Sequence, residues 1–366
     1  MLRFGRLVVT VLAVVGLQLL HPNPAEMPLA GSILLFTALV ATILLASFGV
    51  LTEANALARR FGEPYGSLVL TLSVVIIEVV MISAVLLGPS PAPTIARDSI
   101  FSVMMIIFNL VVGTALVVGY RRNGPQSYNP VGTRIYLVLI VVLAGWTFLG
   151  PLVFRPYTAS FPSAAALITA VVVGFGYGVF LFLQMGRWRR LFEDEPSGRV
   201  KPRVVGPTQS ILQRIGDSVP VRFGLLIALL VLITLLSEHL AVLIDFGVQG
   251  LGLPVAFGGI VIAAIVFTPE TLTAIKAAAS NEMQRVVNLC LGAFVSTVGL
   301  SVPSVLVIGA VTGREVTFGL APVDVALLVA TVALLVVTYT RRRTSVQAGL
   351  AHLGLFALFI AAVFAF

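Results

Sequence analysis

The 366-residue sequence has very little charge and almost no cysteine. Only 10% of its residues are Asp, Glu, Lys or Arg, against about 25% in a typical soluble domain. Its single cysteine, Cys290, excludes a disulfide framework and a cysteine-based metal cluster. Gly-x-Ser-x-Gly, His-Glu-x-x-His and Gly-x-x-x-x-Gly-Lys-Ser/Thr patterns are also absent, so serine hydrolysis, zinc hydrolysis and ATP use have no support. These absences argue against an enzyme, a cofactor-binding protein, a nucleic-acid-binding protein and a disordered scaffold.

Apolar residues dominate the chain instead. They make up 58% of it, and the mean hydropathy is +1.08. A bilayer-spanning helix needs about 20 apolar residues. The apolar runs therefore predict an all-α membrane protein of about eleven transmembrane helices, at residues 5–20, 29–54, 66–88, 98–119, 135–153, 161–184, 221–244, 253–275, 286–310, 322–340 and 346–366. The short first run resembles a signal peptide. No Ala-x-Ala-type cleavage site follows it, so we expect an uncleaved helix.

The basic residues predict how these helices are oriented. With eleven helices, 20 of the 23 Lys and Arg residues fall on the N-terminal side, and the exceptions are Arg97, Arg155 and Arg314. Basic loops stay in the cytoplasm, so the N-terminus is expected in the cytoplasm and the C-terminus outside. The same bias explains the net charge of +8 without an acidic partner. The expected surroundings are a cell membrane and its lipids, and the oligomeric state stays open.

The long polar connection divides the chain into two halves. We expect an N-terminal extra helix and loop at 1–28, a five-helix repeat at 29–184, a basic cytoplasmic linker at 185–220 and a second five-helix repeat at 221–366. Because five is odd, the second repeat crosses the membrane in the opposite sense. Gly66 and Glu78 are twelve residues apart, as are Gly258 and Glu270. Inverted repeats with a site near the bilayer midplane are a common transporter plan.

Glu78 and Glu270 are the residues that are most expensive to keep in such helices. A charge at the bilayer centre costs about 2.5–3.5 kcal/mol on insertion scales, and no Lys or Arg occurs at comparable depth in the predicted helices. Each acid must therefore be protonated or hold a mobile cation. A group that alternates between those states is a cation/proton exchange site. The alternative is a protonated glutamate that only hydrogen-bonds between helices.

Polar residues near the two acids are candidates for completing a cation site. Hydroxyl and amide oxygens suit a hard cation, although Ser and Thr often serve only to join membrane helices. The supporting candidates are Asn109, Ser102, Asn288, Ser296 and Thr268. Two further acids, Glu238 and Glu63, are candidates for lining an access path.

Several stretches resemble bacterial calcium/proton antiporters of the Cha type, within the calcium/cation antiporter superfamily. The first runs from Arg60 through Gly62-Glu63-Pro64-Tyr65-Gly66 to Glu78 and resembles the first repeat of that family. The others are Pro269-Glu270-Thr271-Leu272 with Asn281-Glu282-Met283-Gln284-Arg285 and Asn288-Leu289, and the last-helix segment from Arg343 to Leu353. Many relatives carry a Gly-Asn pair before each glutamate, where this chain has Ile76-Ile77 and Thr268-Pro269.

The resemblance implies an extra first helix followed by two inverted five-helix repeats. It also implies that one glutamate from each repeat, here Glu78 and Glu270, binds the transported cation. The expected function is export of Ca²⁺ from the cytoplasm in exchange for protons by alternating access. A Na⁺ or K⁺/proton antiporter that uses the same site is the alternative, followed by a passive cation channel.

Overall fold

The computed structural model of the protein describes residues 2–61, 65–88, 92–154, 163–185, 218–340 and 343–365. These residues form eleven helices, and their only β-structure is one isolated bridge between Ser127 and Arg343. The predicted all-α class is confirmed. The helices are α1 (Leu2–Leu20), α2 (Leu29–Phe61), α3 (Tyr65–Leu86), α4 (Ile95–Asn123), α5 (Pro130–Phe154), α6 (Ser163–Met185), α7 (Val219–Gly250), α8 (Ala256–Ala279), α9 (Met283–Thr312), α10 (Pro322–Thr340) and α11 (Val346–Ala365).

Nine of these helices are long and apolar enough to cross a membrane within the part of the chain that the structure describes. The exceptions are α1 and α3, whose apolar stretches are shorter. Several helices continue beyond the predicted spans, and α2 for example ends at Phe61 after Arg59 and Arg60. A helix does not have to end where the hydrocarbon ends, because charged residues are tolerated in the headgroup region.

Two helices contain a wider turn that the apolar pattern did not predict. In α4 the segment Ile106–Val111 is π-helical, and in α7 the last turn, Phe246–Gly250, is π-helical as well. A π-turn has i→i+5 hydrogen bonds and is found frequently at functional sites. The π-turn in α4 redirects the residues that follow it relative to the neighbouring helices.

The contacts between helices are similar in the two predicted five-helix repeats. In chain order, α2 corresponds to α7, α3 to α8, α4 to α9 and α6 to α11. The structure packs α4 against α8 and α11, and it packs α9 against α3 and α6, while α2 packs against α7. Helices in equivalent places thus have equivalent neighbours, and α3, α4, α8 and α9 meet at the centre of the bundle.

Close backbone contact at this centre depends on small residues. A Cβ atom at Gly259 of α8 would lie 2.4 Å from the carbonyl carbon of Asp98 in α4. Deeper in the bundle, the rings of Phe108 and Phe294 meet edge to face with their centroids 4.8 Å apart, which joins α4 to α9. This tight packing fixes the positions of the polar side chains that α3, α8 and α9 carry inward. Most of the predicted linker, residues 186–217, lies outside the described residues.

Candidate functional site

Helices α3 and α8 turn their glutamates toward the interior of the bundle. The outward side of α3 carries Leu72 and Ile76, which are 52% and 37% exposed. Glu78 follows Ile76 by two residues, about 200° around the helix, and its side chain is fully buried. In α8, Leu272 is likewise on the exposed side and Glu270 is two residues before it. Glu78 therefore lies inside the bundle, whereas Glu270 is partly exposed on the side of α8 away from Leu272.

Two hydroxyl groups of α9 hold the Glu78 carboxylate. Thr297 Oγ1 donates to Glu78 Oε2 over 3.1 Å, and Ser301 Oγ donates to the same oxygen over 2.9 Å. The two hydroxyls are four residues apart, so they share one face of α9. The other carboxylate oxygen, Oε1, is buried and has no hydrogen-bond partner among the described residues. The Glu78 carboxylate is thus surrounded by oxygen atoms on one side and unsatisfied on the other.

Glu270 lies on the wall of a narrow crevice between α4, α8 and α9. Its Oε2 atom is buried and has no hydrogen-bond partner in the described part of the chain. Most of the crevice is apolar, and the Cys290 thiol and the Thr271 hydroxyl are the exceptions. Thr271 Oγ1 donates to the carbonyl of Phe267 in its own helix. Glu270 therefore has fewer polar groups around it than Glu78.

Glu78 and Glu270 belong to two helices that pack against each other, α3 and α8. The two carboxylates are close enough to interact electrostatically, and no described Lys, Arg or His side chain forms a salt bridge with either one. No group of three described His, Cys, Asp or Glu side chains is arranged to hold a metal ion by itself. A cation bound between the carboxylates would therefore depend on hydroxyl or backbone oxygens to complete its coordination.

Asn109 lies in a separate polar network. It sits in the π-turn of α4 and is fully buried. Its Nδ2 atom donates to Thr331 Oγ1 of α10 over 2.9 Å, and its Oδ1 atom lies 3.2 Å from His352 Nδ1 of α11. The other ring nitrogen of His352 lies 3.0 Å from Thr338 Oγ1. This network joins α4, α10 and α11, and the amide of Asn109 is already occupied within it.

Three of the other four supporting candidates make hydrogen bonds with residues other than the two glutamates, and the fourth is buried. Ser296 Oγ donates to the carbonyl of Gly292 over 2.9 Å, and Thr268 Oγ1 donates to the carbonyl of Ala264 over 2.5 Å. Asn288 Oδ1 accepts a hydrogen bond from Gln284. Ser102 is 1% exposed inside α4.

Of the two acids predicted to line an access path, the structure describes only Glu238. Glu238 is exposed on α7. Its neighbour His239 lines a surface cavity together with His21, at the ends of α1 and α2. Glu63 lies outside the described residues.

Thr297 and Ser301 are the site residues that the sequence did not single out. Ser296, one position before Thr297, was chosen instead. A shift of one residue turns a side chain by about 100° on a helix, so the choice depends on how α9 is rotated about its axis. The four-residue spacing of Thr297 and Ser301, which matches one helix face, is the signal that points to them.

Comparisons with known proteins agree with this architecture. The family described as sodium/calcium exchanger protein matches residues 31–186 and 221–365. The sodium-potassium/proton antiporter ChaA of Escherichia coli (strain K12) is 35% identical over 331 residues, which cover 88% of this chain and 87% of that protein.

Two solved structures share the fold at low sequence identity. The Ca²⁺/H⁺ antiporter protein YfkE superposes with a TM-score of 0.72 at 17% identity and covers 100% of this chain and 99% of its own. The H⁺/Ca²⁺ exchanger CAX superposes with a TM-score of 0.67 at 12% identity, covering 98% of this chain and 88% of its own. The resemblance predicted from the sequence motifs is confirmed, and the chain belongs to the sodium/calcium exchanger protein family.

Proposed function

We propose that the protein is a secondary antiporter that exports Ca²⁺ from the cytoplasm in exchange for protons. One observation carries this proposal: a carboxylate from α3 and a carboxylate from α8, two helices that pack against each other, interact electrostatically without a cationic partner among the described residues. Two such groups are too expensive to keep in a membrane as permanent bare charges. Mobile cations and protons are the ions that can neutralise them in turn.

Charge balance explains how binding would be coupled to movement. With Glu78 and Glu270 both ionised, the site carries two negative charges, which one Ca²⁺ neutralises. Calcium takes 6–8 oxygen ligands, and the hydroxyls of Thr297 and Ser301 contribute to that number. Two protons neutralise the same site after the cation leaves. The site is neutral in both loaded forms, so the protein can change the side of the membrane to which the site is open. The unloaded site carries two negative charges, and its exposure to the apolar interior prevents that change.

Alternating access would then expose this site to one side at a time. Transporters with inverted repeats achieve this mainly by rocking one repeat or bundle against the other around a fixed site. The proposed location is the cell membrane, with the N-terminus in the cytoplasm because basic residues favour that side. Inward flow of protons down their gradient would drive Ca²⁺ out of the cytoplasm.

A Na⁺ or K⁺/proton antiporter is a second candidate, favoured by one specific observation. The relative from Escherichia coli, at 35% identity, is named a sodium-potassium/proton antiporter. A monovalent cation needs only one negative charge, so Glu78 with its two hydroxyl neighbours would be sufficient to balance it. Proton-coupled flux measured with Ca²⁺, Na⁺ and K⁺ over one pH series separates the two candidates.

Everted membrane vesicles provide the test. A pH gradient should drive uptake of the cargo cation into vesicles that contain the wild-type protein, and Glu78→Gln or Glu270→Gln should abolish that uptake. Thr312→Val is the control, because Thr312 is exposed near the end of α9 and donates only to the carbonyl of Ile308. Uptake that persists in both glutamine variants would contradict the proposal. Flux that survives collapse of the pH gradient would indicate a channel.

A further inference from the structure

Two of the three histidines in the chain line the same surface cavity. His21 and His239 border a cavity of about 160 Å³ at the end of α1, the start of α2 and the side of α7, and the two imidazoles are close enough to interact electrostatically. The third histidine, His352, is buried in the network with Asn109 and Thr338. The fold thus brings together two imidazoles from distant parts of the chain.

His21 adopts a backbone conformation that is unusual for histidine. Its φ angle is +40°, and its backbone N–H donates to the carbonyl of Leu17 over 3.0 Å, which ends α1. Helices often end with a residue in this left-handed conformation, but that residue is usually glycine and sometimes asparagine. A side chain at such a position is energetically unfavourable, and strained backbone positions cluster at functional sites. The exposed imidazole of His21 is therefore a feature that the helix end itself does not need.

His239 has a ring nitrogen without a partner. Its Nε2 atom is buried and forms no hydrogen bond with any described residue, although buried polar atoms in proteins are nearly always paired. Apart from the two histidines, the side chains that line the cavity are all apolar, and they belong to Leu17, Pro22, Pro24, Leu35, Val242 and Leu243. None of these side chains can bond to an imidazole. A ligand from outside the chain is needed to satisfy this nitrogen.

From these observations we propose that His21 and His239 form a binding site for a transition-metal dication such as Zn²⁺. Imidazole nitrogen is a preferred ligand of zinc, copper and nickel, whereas Ca²⁺ and Mg²⁺ prefer oxygen. A water molecule needs about 10–15 Å³ of a cavity, so the ion and part of its water shell fit. Because the described residues offer no group of three metal-binding side chains, water would fill the remaining positions. The bound ion would tie the end of α1 to α7.

The charges near the cavity favour a cation. Glu238 is exposed beside His239 and interacts with it electrostatically, and no Lys or Arg lines the cavity. Glu26, in the same loop as His21, is exposed and accepts a hydrogen bond from Asn23. The loop between α1 and α2 lies on the side that the basic residues predict to be outside. The site would therefore take its ion from outside the cell, and it differs in ligand chemistry from the carboxylate pair.

Thermal unfolding of the purified protein, prepared without a polyhistidine tag, tests the site. Ca²⁺ is present in excess throughout, so that oxygen sites are occupied. Zn²⁺ at about 100 times its dissociation constant should raise the thermal midpoint of the wild-type protein by a few degrees. His21→Asn and His239→Gln should each weaken Zn²⁺ binding by about tenfold or more, because even the outer-shell partners of metal ligands are worth about 10–100-fold. Mg²⁺ should have no effect that depends on the histidines.

The choice of variants keeps folding separate from binding. Asparagine and glycine are both accepted at the left-handed end of a helix, so His21→Asn and His21→Gly should unfold at or above the wild-type midpoint when no Zn²⁺ is added. The double variant Glu78→Gln/Glu270→Gln is the matched control, because it removes the other candidate metal ligands and leaves both histidines in place. Its response to Zn²⁺ should equal that of the wild-type protein.

Each other outcome would overturn the site. An equal response to Zn²⁺ in the wild-type protein and the histidine variants would show that these histidines do not bind the ion. A response that the double glutamine variant loses would place Zn²⁺ at the carboxylate pair, and an equal, histidine-dependent response to Mg²⁺ would contradict the class of metal. The unfolding assay involves no transport, so its failure leaves the proposed exchange function intact. Proton-driven uptake that survives in both glutamine variants would overturn that function without affecting the histidine site.

Discussion

Gly259 is a position at which the backbone of a neighbouring helix leaves no room for a side chain. A Cβ atom there would lie 2.4 Å from the carbonyl carbon of Asp98 and 2.8 Å from its carbonyl oxygen. Backbone cannot move aside as a flexible side chain can, so Gly259→Ala should separate α8 from α4. We expect a loss of about 1–3 kcal/mol, typical of overpacked cores, seen as a lower thermal midpoint in detergent together with reduced transport. Gly224→Ala is the control, because nothing lies within 4 Å of a Cβ atom at that position of α7. Equal thermal midpoints for the two variants would contradict this account of the α4–α8 contact.

At the scale of single residues, the sequence singles out the two acids of the candidate site but not the hydroxyls beside Glu78. Glu78 and Glu270 stand out in the sequence because a carboxylate in an apolar helix has a high energetic cost. A hydroxyl has an alternative, since it can donate to a carbonyl of its own helix. Ser296 and Thr268 do this, whereas Thr297 and Ser301 donate to Glu78. The rotation of each helix about its own axis distinguishes the two cases.

Helices α2 and α7 are joined by a buried ion pair between the two halves of the chain. Arg222 Nη1 lies 2.9 Å from Glu53 Oε2, and their side chains are 8% and 3% exposed. Removing one partner leaves the other charge buried, which typically costs about 3–5 kcal/mol. We expect Glu53→Gln and Arg222→Gln each to lower the thermal midpoint markedly, and the double variant to be less destabilised than the sum of the two. Additive losses in this double-mutant cycle would show that the pair contributes no coupling between the helices.

At the scale of the helix, the number of helices was predictable and the π-turns were not. Apolar length and the distribution of basic residues depend on composition, which a sequence displays directly. The π-turn of α4 contains Asn109, whose partners Thr331 and His352 lie more than 200 residues further along the chain. A local sequence pattern cannot identify partners that are so distant in the chain. The sequence therefore could not show that the Asn109 amide contacts α10 and α11.

In the whole molecule, the two acids occupy matching places in the two halves of the chain. The spacing of Gly66 to Glu78 and of Gly258 to Glu270 places each acid at a similar distance along a helix, and the predicted opposite directions of the two helices would bring both toward the middle. The contacts of α4 and α9 repeat in the two halves, but the side chains do not: α9 presents Thr297 and Ser301 to Glu78, whereas α4 presents Ile107 and Val111 near Glu270. A symmetric backbone thus carries an asymmetric site.

The dependence of transport on pH follows from this arrangement of charges. At low pH protons occupy both glutamates, so cation loading falls. At high pH both glutamates are ionised, and the proton-loaded form that must return across the membrane becomes scarce. Proton-coupled Ca²⁺ exchange should therefore pass through a maximum as pH rises at equal proton gradient. Exchange of Ca²⁺ for Ca²⁺ should instead rise with pH and then level off, because one Ca²⁺ neutralises both ionised carboxylates and no protonated form is needed. Glu282→Gln is the control: this acid lies near the turn before α9, where it pairs with the exposed Arg285, and its loss should leave both profiles unchanged. Two profiles of the same shape for the wild-type protein would show that cations and protons do not compete for the pair of carboxylates.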